Sequence, residues 1–301
     1  MIKVAFGMIV FEGDYVLKEC LQQVYPFAEQ ILIAEGPVTY WQKQGRSTSL
    51  DTTNEIIDNF PDPDNKITIV HGKFEEKDDQ CRSYMEFIND DIDYIWNLDS
   101  DEVYKTEDLE KMVKFLEEEQ PTSVGIRSCS FYGGFDRYLT GFEWKKDNFL
   151  RIFKYAEGAT WLTHRPPTIR YPQRQGSDII KKHKHIDSDV LYAKLGVQMY
   201  HYSYVFPDQV KNKVDYYKDS VSKQNCIHDY FNRIYLPWVV GDEARVEKKF
   251  KGVHEFKPEI RGNCFTEKFT MSHPTAIDEA MDSLKNKFRT QLKKYFRGGF
   301  G

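Results

Sequence analysis

Up to Pro121 the chain alternates short, nearly continuous apolar runs with stretches whose apolar positions recur three and four residues apart. Residues 2–11, 30–34, 67–70 and 94–98 read as buried strands. Val16, Leu17, Cys20, Leu21 and Val24 make one stripe of a helix that Asp14 can cap and Pro26 ends. Thr52 and Glu55 have capping-box spacing and open a helix through Ile56, Ile57 and Phe60. Cys81, Tyr84, Met85 and Ile88 mark a third helix within 78–89. Thr106 caps a fourth, with Glu107 and Asp108 complementing its dipole and Leu109, Met112, Val113 and Leu116 facing the core. Strand, helix and strand in so short a span imply right-handed parallel crossovers. The fold class is therefore α/β: a twisted, mainly parallel, Rossmann-like sheet with helices on both faces. After Ser123 the pattern changes. Residues 124–131, 150–153 and 197–204 are strand-like between irregular aromatic loops, and helices dominate from Pro207, over 208–222 and 276–296.

One stretch breaks the apolar rule. The run Tyr94-Ile95-Trp96-Asn97-Leu98 ends in Asp99-Ser100-Asp101-Glu102, three carboxylates within four residues. In an extended chain Asp99 and Asp101 share a face, where their repulsion is about 1–4 kcal/mol depending on the dielectric. Such a cluster suits a hard cation, Mg²⁺, Mn²⁺ or Ca²⁺; a solvated turn is the plainer alternative. Ligands of parallel sheets gather at the carboxyl ends of the strands, and Gly7, Glu35 and Asp99 stand at or near three of them.

Composition narrows the classes. A 301-residue chain with 40% hydrophobic residues is globular, and a net charge of −5 argues against nucleic acid as the main partner. The basic segment Lys181-Lys182-His183-Lys184-His185 reads as solvated surface. Five scattered cysteines offer neither zinc spacing nor a disulfide framework. The apolar start, interrupted by Glu12 and Asp14, lacks the layout of a signal peptide, and no later run is long enough to span a bilayer. A reducing, cytoplasmic location is the expectation. No GxxxxGK[ST] motif exists, which excludes a Walker-type NTPase, and the first strand is followed by no Gly-rich phosphate loop of a nucleotidyltransferase.

Taken in order, these features resemble glycosyltransferases of the GT-A fold, family 2 in particular. The resemblance rests on the second strand ending in Glu35, on Ser49-Leu50-Asp51-Thr52-Thr53, on Asp79, Gln80 and Arg82, and on Leu98-Asp99-Ser100-Asp101-Glu102 as a DxD signature. Leu150-Arg151-Ile152-Phe153-Lys154 is similar to the family's "RLF" strand. Tyr200-His201-Tyr202-Ser203-Tyr204, with Lys213 and Tyr216-Tyr217 after it, is similar to a late histidine-containing strand and helix.

The resemblance implies a GT-A-like catalytic domain over 1–205, its donor half about 1–105 and its acceptor half about 106–205. Residues 206–301 would form a helical extension packed on the core. It implies a UDP- or GDP-linked sugar donor, Mn²⁺ or Mg²⁺, and a glycan, lipid-linked or other hydroxyl acceptor. Glu35, Asp51, Asp79, Arg82 and Asp99 would bind the donor, with Asp99, Asp101 and His201 at the metal and Glu102 structural. Tyr132 and Trp161 are candidate acceptor platforms. For the base that takes the acceptor proton, Arg165 stands where the family has an acid. His164, Asp187 and Asp189 are the candidates. A non-catalytic nucleotide- or sugar-binding module on the same fold is the alternative. The terminal lysines, Lys285, Lys287, Lys293 and Lys294 with Arg297, have the chemistry to meet anionic headgroups, or simply complement a helix end.

Overall fold

The computed structural model describes residues 2–141, 149–172, 179, 181, 183–221 and 226–296; Lys182 and Arg297 lie outside them. In chain order the first half contains β1 (Val4–Val10), α1 (Leu17–Val24), β2 (Gln30–Glu35), α2 (Thr39–Gln42), α3 (Thr53–Asp58), β3 (Ile67–His71) and α4 (Lys77–Met85). It continues with β4 (Tyr94–Asp99), β5 (Glu102–Val103), α5 (Thr106–Glu119) and β6 (Ser123–Tyr132). Next come β7 (Arg137–Leu139), β8 (Phe149–Lys154), β9 (Thr160–Thr163), β10 (Thr168–Arg170), β11 (His185–Ile186), α6 (Ser188–Leu195) and β12 (Gln198–Tyr204). The chain then enters α7 (Pro207–Tyr216), three five-residue π turns, α8 (Glu243–Phe250), α9 (Pro258–Arg261), β13 (Thr266–Lys268) and α10 (Thr275–Phe296).

Two compact units divide the chain. The first contains residues 1–127 and 148–199, the second 128–147 and 200–301. In the first, β3, β2, β1 and β4 lie side by side and parallel. Antiparallel β8 joins β4 to the start of β6, and β11 runs parallel to β6. This is the curled, mostly parallel sheet with flanking helices expected from the alternating pattern. Its strands are buried on both faces, so β1 and β2 read as continuous apolar runs. Helix α4 lies so close to β1 that a Cβ on Gly7 would sit 2.7 Å from the Tyr84 ring. Gly7 is thus a packing residue in mid-strand rather than a strand-end residue.

In the second unit, β7 pairs antiparallel with the end of β6 and with β13. An aromatic core gathers Tyr132, Tyr204, Tyr230, Phe231, Tyr235 and Trp238. The helix expected over 208–222 gives way to a π turn at Tyr217.

Three expected caps are absent. Thr106 is the first residue inside α5, and Lys105 precedes it without a side-chain cap. Asp14 does not cap α1; its carboxylate accepts the Thr52 hydroxyl at 2.8 Å. That bond takes Thr52 away from its expected capping role at α3. The capping box lies instead at α4, formed by Glu76 and Asp79. All five cysteines are free thiols. Among the described residues no helix is long and apolar enough to cross a membrane.

Candidate active site

The parallel register sets the site's dimensions. Val10 of β1 pairs with Glu35 on one side, and Ile9 pairs with Asp99 on the other. Two acidic residues therefore stand at the carboxyl ends of strands that flank β1, two strand spacings or about 10 Å apart.

At the end of β4 the extended alternation stops. Asp99 is the last strand residue, and Ser100 and Asp101 form a turn before β5, so the expected shared face of Asp99 and Asp101 does not hold. Arg151 of β8 closes this turn from below. Its Nε donates to Glu102 Oε2 at 2.9 Å, and its Nη2 donates to Asp99 Oδ2 at 3.0 Å and also to Glu102 Oε1. Glu102 is fully buried, and its Oε2 also accepts the Asp99 amide at 3.3 Å. Burial works against a charged Arg151, but the carboxylates of Glu102 and Asp99 more than offset it and raise its pKa. Above the turn, Ser100 leans on Gly13, where a Cβ would lie 2.7 Å from Ser100 Oγ.

At the end of β2, Glu35 is 3% exposed and held through both oxygens. Ser49 Oγ donates to Oε1 at 2.7 Å, and His71 Nδ1 lies 3.1 Å from Oε2. Ser49 Oγ also accepts the Glu12 amide at 2.9 Å, and Thr53 Oγ1 accepts the Gly13 amide at 2.9 Å. Asp51 completes this lacing, its carboxylate accepting the amides of Asp14 and Thr53. Burial, reinforced by the charge of Asp14, raises the Asp51 pKa. Asp51 therefore fastens the loop after β1 to the start of α3.

Helix α4 supplies a second layer. Gln80 Nε2 donates to the carbonyls of Val10, Ala34 and Gly36, tying the ends of β1 and β2 together. Asp79 accepts the Glu76 amide and the Arg82 guanidinium, at 3.2 and 2.6 Å. Arg82 continues to the carbonyls of Trp161 and Leu162 at 3.1 and 3.0 Å. Its fork thus carries the β9 backbone on the outer side of α4.

The three base candidates do not converge. His164 is 5% exposed, with its amide on Asp78 at 2.6 Å and its Nδ1 3.5 Å from Cys81 Sγ. Burial pulls its pKa down to about 3, against the nearby charge of Asp99, so the imidazole is neutral and a weak proton acceptor. Asp187 and Asp189 follow β11, which is three strand positions from β4, about 14 Å across the sheet. There Asp187 lies 3.1 Å from His185 Nε2, and Asp189 accepts Arg127 at 2.7 Å.

Neither candidate platform offers an open ring face. Tyr132 is fully buried in the second unit, its hydroxyl 3.0 Å from that of Tyr230 and its ring edge-on to Trp238. Trp161, 1% exposed, packs edge-on to Phe153. A sugar needs an exposed ring, and aromatic content alone does not distinguish one from core. His201 lies on β12 in the second unit. Of the basic segment, Lys181 and His183 are exposed, and the half-buried Lys184 pairs with Glu119 at 2.6 Å.

Of the side chains that hold Glu35 and Asp99, Ser49 and Arg151 stand in the motifs quoted above without a role of their own, and His71 carries no sequence signal. Arg151 had a signal: a cation in mid-strand among apolar residues needs a buried anion.

Residues 47–171, which include Ser49, His71, α4, the acidic turn and Arg151, match the model of glycosyl transferase family 2. No curated protein sequence matches. Among solved structures, S. aureus TarS 1–349 in complex with UDP is 11% identical at a TM-score of 0.41, covering 71% of this chain and 63% of that one. TarS 1–349 in complex with UDP-GlcNAc is 10% identical at 0.41, covering 83% and 73%. The chain thus spans less than two thirds of the first of these structures. Residues 47–171 carry the match to glycosyl transferase family 2, within a curled, mostly parallel sheet of the GT-A type.

Proposed function

We propose that this chain moves a sugar from a nucleoside-diphosphate sugar, UDP- or GDP-linked, to a hydroxyl of a glycan, lipid-linked or other acceptor, with Mn²⁺ or Mg²⁺ at the acidic turn. One observation carries the reading. Glu35 and Asp99, each oriented by fixed partners, stand at the carboxyl ends of the strands flanking β1, about 10 Å apart, with Asp99 inside the segment that matches glycosyl transferase family 2. That spacing is on the scale of a nucleoside from base to phosphate. In this reading Glu35 meets the base or ribose, Asp99 the ribose or a metal-bound water, and Asp101 the ion. Asp51, Asp79 and Arg82 act by holding the loops around the donor.

The donor set fits a hard cation of this kind. Among the described residues no group of three His, Cys, Asp or Glu side chains is placed to hold a metal. Mg²⁺-type ions are commonly held by one or two carboxylates, with substrate phosphates and water completing the shell. A bound cation would neutralise the charge that develops on the departing nucleoside diphosphate. The five free thiols suit a reducing compartment such as the cytoplasm.

The test is thermal. With Mn²⁺ present, UDP or GDP should raise the melting temperature, and Asp101→Ala should abolish the rise. Equal protection without metal, or in the variant, would place the donor elsewhere. Binding with no turnover against a panel of acceptors would favour a binding module.

A further inference from the structure

We propose that Arg151 is a positioning residue of the acidic turn: its fork ties the residue before the turn to the residue after it and so fixes how Asp101 is presented to a divalent cation. The proposal rests on the donor-site reading above and adds a residue to it.

Three observations lead there. Arg151 donates to Asp99 and to Glu102 from one guanidinium, so Ser100 and Asp101 are bracketed by a single rigid group. The Asp99 amide on Glu102 Oε2 adds a second tie across the same turn. Ser100 itself packs close to Gly13, where a Cβ would lie 2.7 Å from its Oγ. The Arg151 side chain is 7% exposed and Glu102 is fully buried, so neither is placed to touch a ligand itself. A single charge would offset the carboxylates' repulsion wherever it sat nearby. The planar fork does more, because only a two-sided donor fixes both carboxylates at once.

The decisive variant is the double substitution Arg151→Gln with Glu102→Gln, which removes the pair without stranding a buried charge. Nucleotide affinity is measured by calorimetry with UDP and GDP, with Mn²⁺ and with EDTA, beside the melting temperature of the unliganded protein. The unliganded double variant should melt close to the native protein. Its affinity in Mn²⁺ should fall about 10- to 100-fold, the range for residues that orient metal ligands, while its affinity in EDTA stays native. Arg151→Lys, which keeps the charge and loses the fork, should fall between the two. Should the double variant not fold, Arg151→Lys decides alone.

Native or tighter affinity in Mn²⁺ for the folded double variant would overturn the proposal, since Arg151 would then merely oppose the ion. Native affinity for Arg151→Lys would overturn it as well. A native protein whose nucleotide binding ignores Mn²⁺ would overturn the donor-site reading and this proposal with it.

Discussion

Glu35 and Asp99 occupy matching places, at the ends of parallel strands on either side of β1, yet they are held by opposite means. Glu35 is itself the buried group, and its supports are a hydroxyl and an imidazole at 2.7 and 3.1 Å. Asp99 is more open, and the buried charges beside it are Arg151 and Glu102. Losing a support at β2 leaves a carboxylate one donor short. At β4 the same loss strands an ion in the interior. The two strand ends should therefore respond very differently to single substitutions.

The largest effect is expected at β4. Arg151→Gln alone leaves Glu102 buried without its partner and should destabilise the fold by about 3–5 kcal/mol, read from urea unfolding. A loss below about 1 kcal/mol would mean that the pair is solvated.

Next comes acid, through His164. Its folded pKa is depressed to about 3 by burial, so below the ordinary imidazole value the unfolded chain takes up a proton that the folded chain refuses. Stability is full above about pH 6.5 and falls by about 1.4 kcal/mol per pH unit below it, reaching about 3 kcal/mol by pH 4.5. His164→Gln should remove that part of the acid sensitivity. An unchanged pH profile would show that the imidazole charges inside the fold.

Ser49→Ala breaks the β2 support and should cost about 1–2 kcal/mol, because Glu35 loses a donor and the Glu12 amide an acceptor. A cost matching that of Arg151→Gln would erase the contrast between the two ends. The smallest effect tests the second unit. Tyr132→Phe loses one hydroxyl contact and should cost about 1 kcal/mol, with acceptor KM unchanged. A raised acceptor KM would restore Tyr132 to the acceptor site.

The sequence carried the first unit well because its physics is local. Buried parallel strands need unbroken apolar runs, helices need three- and four-residue spacing, and parallel topology forces the strand ends together. Hence Glu35 and Asp99 are legible as residues at neighbouring strand ends. The caps expected at Asp14 and Thr52 are absent because the two side chains bond each other across loops, and such choices depend on tertiary approach. Tyr132 and Trp161 failed as platforms for a related reason: ring content is one-dimensional, while exposure is decided by what packs on the ring. The separation of Asp187 and Asp189 from the acidic turn follows from β11 pairing with β6, a register no local pattern announces.

In the proposed function a nucleotide lies across the ends of β2 and β4, with its phosphates at the acidic turn. A crystal structure with Mn²⁺ and UDP or GDP tests it most directly. The ion is expected on Asp101 and the diphosphate, with the base or ribose against Glu35 and Arg151 still bridging Asp99 and Glu102. A nucleotide bound away from these strand ends, or an ion with no contact to Asp101, would contradict it.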